Sequence, residues 1–210
     1  MEDSKQEDGK QEDGKQTITV ETNDWSNPSP AGLVAYAVAC YCFFAVFTGK
    51  VDHSALPLLG CWLVGGFVIQ IVVGIVDLKN RNLAGGNLFL FFSGFFMLTG
   101  GLGMFLKYRS IADGVPLDAR IDGYAWLVLC IIVILWTPAF CKKFNLLSVA
   151  VIVLDIALPL IALADIELIP KSPALQIAAW ALLVSGSLAI YVASALVVNG
   201  TYGKKIYPGI

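Results

Sequence analysis

Few side chains in the apolar part of this chain could do chemistry, and their types suit solvating a small solute better than breaking a bond. Asp155 is the one acid well inside an apolar run, beside the stripe Leu147, Val151, Leu154 and Leu158. A carboxylate at the centre of a membrane helix costs at least about 2.5 kcal/mol, so it must face protein or water. Three readings of Asp155 stay open: a functional group, a buried hydrogen bond to a neighbouring helix, or a helix lying shallower than the run suggests. Gly66, Gln70, Gly74 and Asp77 recur at i, i+4, i+8 and i+11, which aligns one small and polar stripe on a helix. That stripe is either a packing seam, because small residues let membrane helices approach closely, or the wall of a path that Gln70 faces. Asn87 precedes a phenylalanine-rich stretch in which Phe89, Phe92 and Phe96 share one face and Phe91 and Phe95 another. Enzyme chemistry is not indicated. The single histidine, His53, lacks a nearby carboxylate pair, and no glycine-rich phosphate loop precedes a helix. The five cysteines have neither zinc spacing nor a secreted disulfide framework, so no metal or cofactor is expected.

Membrane helices must position these groups. The 210 residues are 57% hydrophobic and only 14% charged, with a mean hydropathy of +0.74, well above a soluble domain. A spanning helix needs about 20 mostly apolar residues. Six windows qualify: Ala31 to Thr48, Leu56 to Val76, Leu83 to Leu106, Tyr124 to Phe140, Leu146 to Ala164, and Ala174 to Val198. These runs do not alternate as barrel strands do. The expected fold is therefore an all-α integral membrane protein, a bundle of six transmembrane helices.

Met1 to Pro30 carries eight acids and three lysines and repeats Lys-Gln-Glu-Asp-Gly at Lys5 and Lys10. It cannot bury a core and lacks a signal peptide's basic and apolar regions, so the first membrane helix should direct insertion. We expect a charged tail over 1–26, disordered to about Asn23, a transmembrane domain over 27–200 and a short C-terminal tail over 201–210. The net charge of −2 without a basic stripe argues against nucleic acid as a partner. Cytoplasmic loops are enriched in lysine and arginine. Lys79, Arg81, Lys142, Lys143, Lys204, Lys205 and three tail lysines fall on one side, against Lys50, Lys107, Arg109, Arg120 and Lys171 on the other. Both termini are expected in the cytoplasm.

Motifs at the two ends narrow the reading. Asn27-Pro28-Ser29-Pro30-Ala31-Gly32-Leu33 suits a helix start, since proline in the first turn forfeits no hydrogen bond. The segment resembles the Asn-Pro-Ala-Pro-Leu-Gly-Leu signature of the acetate uptake transporters, the succinate–acetate permease family, with Ser29, Ala31 and Tyr36 as departures. Gly65 to Gly74 is similar to that family's glycine and glutamine pattern with one extra residue. Gly186 to Ser194 and the ending Asn199 to Gly209 look like its Ala-Ile-Tyr helix and its Gly-x-x-x-x-Pro-x-Gly tail. The resemblance spans Asn27 to Gly209 and is weakest over Lys107 to Phe144.

The resemblance implies a pore through each protomer, a homohexamer in a cell membrane, and transport of acetate, succinate or other short carboxylates, often coupled to protons. It places a constriction at Tyr36, Phe92 and Leu154 on the first, third and fifth helices. Gln70 and Asn87 could supply amide donors along such a path, and Asp155 beside Leu154 could hold a proton. Two rivals are a urea or short-chain amide channel of similar architecture and a non-transporting scaffold that displays the charged tail.

Overall fold

The computed structural model describes residues 25–210, so the expected disorder up to Asn23 and most of the 1–26 tail lie outside the described residues. Six helices are long and apolar enough to cross a membrane: α1 (Ser29–Phe47), α2 (Leu56–Lys79), α3 (Leu83–Asp113), α4 (Arg120–Phe140), α5 (Leu146–Asp165) and α6 (Lys171–Tyr202). There is no strand among the described residues. The chain is a multi-pass membrane protein.

Local sequence sets where each helix begins. Pro28 and Pro30 occupy the N-cap and first turn of α1, and the Asn27 side chain accepts from the Ser29 amide at 3.0 Å. At α5, Asn145 accepts from the amides of Leu147 and Ser148, while Ser148 accepts from the Asn145 amide, a full capping box. The Leu146 amide donates to the Gly209 carbonyl at 3.0 Å. Residues 201–210 are thus folded back onto the membrane domain, with Asn199 receiving the amides of Ile206 and Tyr207.

Several helix bounds depart from the hydropathy windows, the end of α2 at Lys79 among them. α3 continues seven residues past Leu106, α4 starts at Arg120, and α6 extends at both ends of Ala174 to Val198. Hydropathy locates the hydrocarbon layer, whereas a helix continues into the polar interface wherever its side chains can reach water. The third helix also changes pitch. Phe92 to Leu98 forms a π-helical segment, an arrangement that recurs at functional sites because it displaces side chains from the α-helical register.

The helices pack in a ring. α1 lies between α2 and α6, α5 between α6 and α4, and α3 against α2. α3 and α4 close the ring through aromatic rings, with Phe91 on Trp136 at 5.4 Å and Phe96 on Trp126 at 5.1 Å. Elsewhere glycine permits direct backbone approach. A Cβ on Gly186 of α6 would lie 2.8 Å from Cys40 Cβ of α1, and one on Gly74 would meet Gly86 O and Leu90 of α3 at 3.0 Å or less.

Candidate functional site

Two cavities enter this ring from opposite faces. The larger, about 460 Å³, begins at the face where α1 starts and α6 ends, among Asn27, Asn82, Lys142, Lys143 and Asn145. It continues inward past Leu33, Gln70, Phe89 and Val151. The smaller, about 80 Å³, begins at the other face beside Lys107 and Asp165 and runs between Phe43, Phe96 and Trp126. Tyr36, Phe92 and Leu154 line both. The three side chains named in the sequence therefore lie at the junction, one each from α1, α3 and α5.

Phe92 and Leu154 are each 4% exposed, and Phe92 is held by Phe91 at 4.9 Å and Phe96 at 5.5 Å. It opens the π-helical segment, whose buried residues are Phe92, Ser93, Phe96 and Met97. The Tyr36 hydroxyl lies 2.7 Å from Ser185 Oγ on α6, and Ser185 Oγ donates to the Ala150 carbonyl on α5 at 2.7 Å. One hydroxyl pair thus ties three helices at the junction.

The glycine and amide stripe of α2 is both seam and wall. Gly66 and Gly74 are covered by Met97 and Leu90 of α3, as a seam requires. Gln70 lines the larger cavity, donates from Nε2 to Gly32 O at 3.4 Å, and keeps Oε1 buried with no partner among the described residues. Asp77 accepts from Ser29 Oγ at 3.0 and 3.1 Å, joining the end of α2 to the start of α1. The signature residues serve that junction. Asn27 and Leu33 line the cavity, Pro28 and Pro30 start the helix, and Gly32 makes room for the Phe89 ring.

Two of the polar candidates stand elsewhere. Asn87 donates to the Leu83 carbonyl of its own helix at 2.8 Å and lines neither cavity. Its amide is taken up by the backbone one turn earlier. Asp155 also lines neither cavity; its Oδ2 is 2.7 Å from Thr137 Oγ1 on α4. The contact is a part-buried hydrogen bond between helices, and Asp155 Oδ1 is buried with no partner among the described residues.

Charge differs between the two mouths. All four ion pairs among the described residues are on the face of the smaller cavity: Lys107–Asp122, Arg109–Asp113, Arg120–Asp118 and Lys171–Glu167. There the Arg120 guanidinium holds the Asp118 carboxyl down to about 2. Lys142 and Lys143, at the larger mouth, take part in none of these pairs. The α5 N-terminus that follows them has its first amides already satisfied by Asn145 and Gly209, so the lysines supply the positive field there. Sequence reasoning missed Ser185, which sits one residue before the Gly186 motif, and used Lys142 and Lys143 only for orientation.

Six spans and two cavities meeting within one chain define a helical membrane protein with a path inside its own bundle. The sequence matches the GPR1/FUN34/yaaH family over residues 9–204, and the chain belongs to that family. It is similar to ammonia transport outward protein 2 of Saccharomyces cerevisiae, with 25% identity over 146 residues, 63% of this chain. The chain spans about half the length of that curated relative, 51%. Its fold is similar to that of the bacterial acetate channel SatP, at a TM-score of 0.70 and 19% identity, covering 89% of this chain and 99% of that one.

Proposed function

We propose that this protein conducts acetate and other short monocarboxylates across a cell membrane, through a path inside each protomer of a homohexamer, in a proton-linked manner. The observation that carries the reading is the convergence of two cavities from opposite faces on Tyr36, Phe92 and Leu154. An apolar constriction of this kind admits a methyl-sized body and strips water from the carboxyl group. Lys142 and Lys143 enrich anions at the wide mouth, because a cleft of one charge sign raises the local concentration of the opposite one. Membership of the family and the likeness to an acetate channel support the same solute.

The conducting unit is the membrane domain over 27–200, and the lysine-bearing face with both termini is cytoplasmic. The test is uptake of labelled acetate, urea and ammonia into one preparation of proteoliposomes, with and without an imposed pH gradient. Acetate uptake above protein-free vesicles, increased by the gradient, is the expected result. Urea uptake without acetate uptake would give the amide-channel reading instead, and ammonia alone would follow the name of the yeast relative. No flux of any of the three would leave the scaffold reading.

A further inference from the structure

The hydrogen-bond chain at the junction has a fixed direction. A backbone carbonyl can only accept, so the 2.7 Å contact between Ser185 Oγ and Ala150 O spends the single proton of Ser185. Ser185 Oγ must then accept from Tyr36, and the phenolic proton points away from the path toward α6. The phenol oxygen is left with lone pairs and no hydrogen to offer. Tyr36 lines both cavities, so this oxygen sits where any solute passing between them must shed water. Gln70, nearer the wide mouth, has the same bias on its carbonyl side: Oε1 is buried without a donor.

We propose that Ser185 sets the hydrogen-bond polarity of the constriction, so that short monocarboxylic acids cross as the neutral, protonated species and the carboxylate anion is rejected. The inference rests on the reading that acetate uses this path. A protonated acid donates its O–H to the Tyr36 oxygen and keeps a hydrogen bond throughout the desolvated step. A carboxylate there meets lone pairs with its own lone pairs, and no proton is available to bridge them. Losing one hydrogen bond to a charged group disfavours the anion at this step by about tenfold or more. Each acid carries its proton across and releases it to water beyond, so the proton linkage resides in the substrate. The titratable groups around the phenol are Cys40 on α1 and Asp155 on α5. Cys40 lines only the smaller cavity and Asp155 neither, so the path needs no protein proton carrier. The field of Lys142 and Lys143 enriches the anion at the mouth but leaves the concentration of the neutral acid there unchanged.

The full chain in proteoliposomes tests this, with labelled acetate at fixed total concentration, stepped pH, and membrane potentials imposed by a potassium gradient and ionophore. After subtraction of protein-free vesicles, uptake should fall about tenfold per pH unit above the acid's own pKa and should not respond to potential. Ser185→Ala frees the phenolic proton to face the path. A potential-sensitive component should then appear and the pH dependence should flatten, changes that a merely structural role would not produce. Tyr36→Phe keeps the ring, removes the acceptor, and should lower acid uptake about tenfold while leaving it insensitive to potential. Wild-type uptake that follows the anion concentration and rises with an inside-positive potential would overturn the inference while leaving acetate conduction standing. Absence of protein-dependent acetate uptake would remove the underlying function instead. Should Ser185→Ala fail to reconstitute, the wild-type potential response and Tyr36→Phe still decide.

Discussion

Replacing Phe92 by alanine should widen the path at its narrowest level and cost selectivity before it costs flux. The ring is 4% exposed, clasped by Phe91 and Phe96, and borders open volume on both sides of the junction. In a closed core Phe→Ala destabilises by about 3–5 kcal/mol, largely for the void it leaves. Here part of the void already exists, so about 3 kcal/mol is expected, which the remaining helix contacts can absorb. Selectivity is more sensitive, because one methylene in a tight apolar pocket is worth about 1–3 kcal/mol, or 10- to 200-fold. The discrimination of acetate over butyrate should therefore collapse by at least tenfold in Phe92→Ala, and Leu154→Ala should act in the same direction. The assay is competitive uptake of labelled acids of increasing chain length at equal reconstituted protein. Phe95→Ala is the control, since that ring is 66% exposed on the outside of the bundle. Phe91 is unsuitable because it buttresses Phe92 at 4.9 Å. An unchanged chain-length profile in both Phe92→Ala and Leu154→Ala would refute the constriction.

Asp155→Asn should leave the response of uptake to a pH gradient unchanged, since asparagine keeps the contact with Thr137 and the residue lines neither cavity; a flattened response would make Asp155 a coupling group. Lys142→Gln with Lys143→Gln should leave the half-saturating acetate concentration unchanged, since a positive field enriches the anion but not the neutral acid; a severalfold rise at low ionic strength that shrinks at about 0.15 M salt would mark entry of the anion instead. Asp118 is held down to about 2 by Arg120, so whatever that pair adds to stability is complete above the unfolded carboxyl's pKa of about 4 and fades only as pH falls toward 2. Asp118→Asn should accordingly leave the pH profile of uptake unaltered between about pH 5 and 8. A cysteine introduced at Gln11 should resist an impermeant thiol reagent applied to intact cells; strong labelling would invert the proposed topology.

Much of this architecture is legible in the residues because a bilayer imposes it. Twenty apolar residues in a row have few alternatives to a spanning helix, and Pro28, Pro30 and the Asn145 cap mark starts that the fold uses. Helix ends are less legible, as at Lys107 to Asp113, because backbone hydrogen bonding continues after hydropathy has stopped. The π-helical turn at Phe92 to Leu98 carries no periodic signal of its own. The segment packs against α2, a contact between distant parts of the chain. The polar candidates divide for a related reason. Gln70, Asn87 and Asp155 are equally unusual in apolar surroundings, yet only Gln70 lines a cavity. A polar side chain in a membrane must find some partner, and a carbonyl one turn earlier takes up Asn87 while a threonine on the next helix takes up one oxygen of Asp155, leaving its Oδ1 buried without a partner among the described residues.

Three of the four serines of α6 make the same point where it matters for function. Ser187 and Ser194 donate to the carbonyls four residues back, Leu183 and Ile190, at 2.7 and 2.8 Å. This is the default of a hydroxyl on a helix in an apolar medium, and on the exposed side Ser187 Oγ also meets the Tyr41 hydroxyl of α1 at 2.8 Å. Ser185 instead reaches across to Ala150 on α5, which leaves its oxygen free to receive Tyr36 from α1. The close approach of α1 and α6 at Gly186 brings the two hydroxyls within range, because a side chain there would collide with Cys40. The glycine next in sequence to Ser185 thus brings this serine within reach of the Tyr36 phenol, and its bond to Ala150 on α5 is what separates it from Ser187, which pairs with Tyr41 but donates within its own helix. A bulkier residue at Gly186 should part α1 from α6, release Tyr36 from Ser185, and reproduce the altered charge selectivity of Ser185→Ala without touching either hydroxyl.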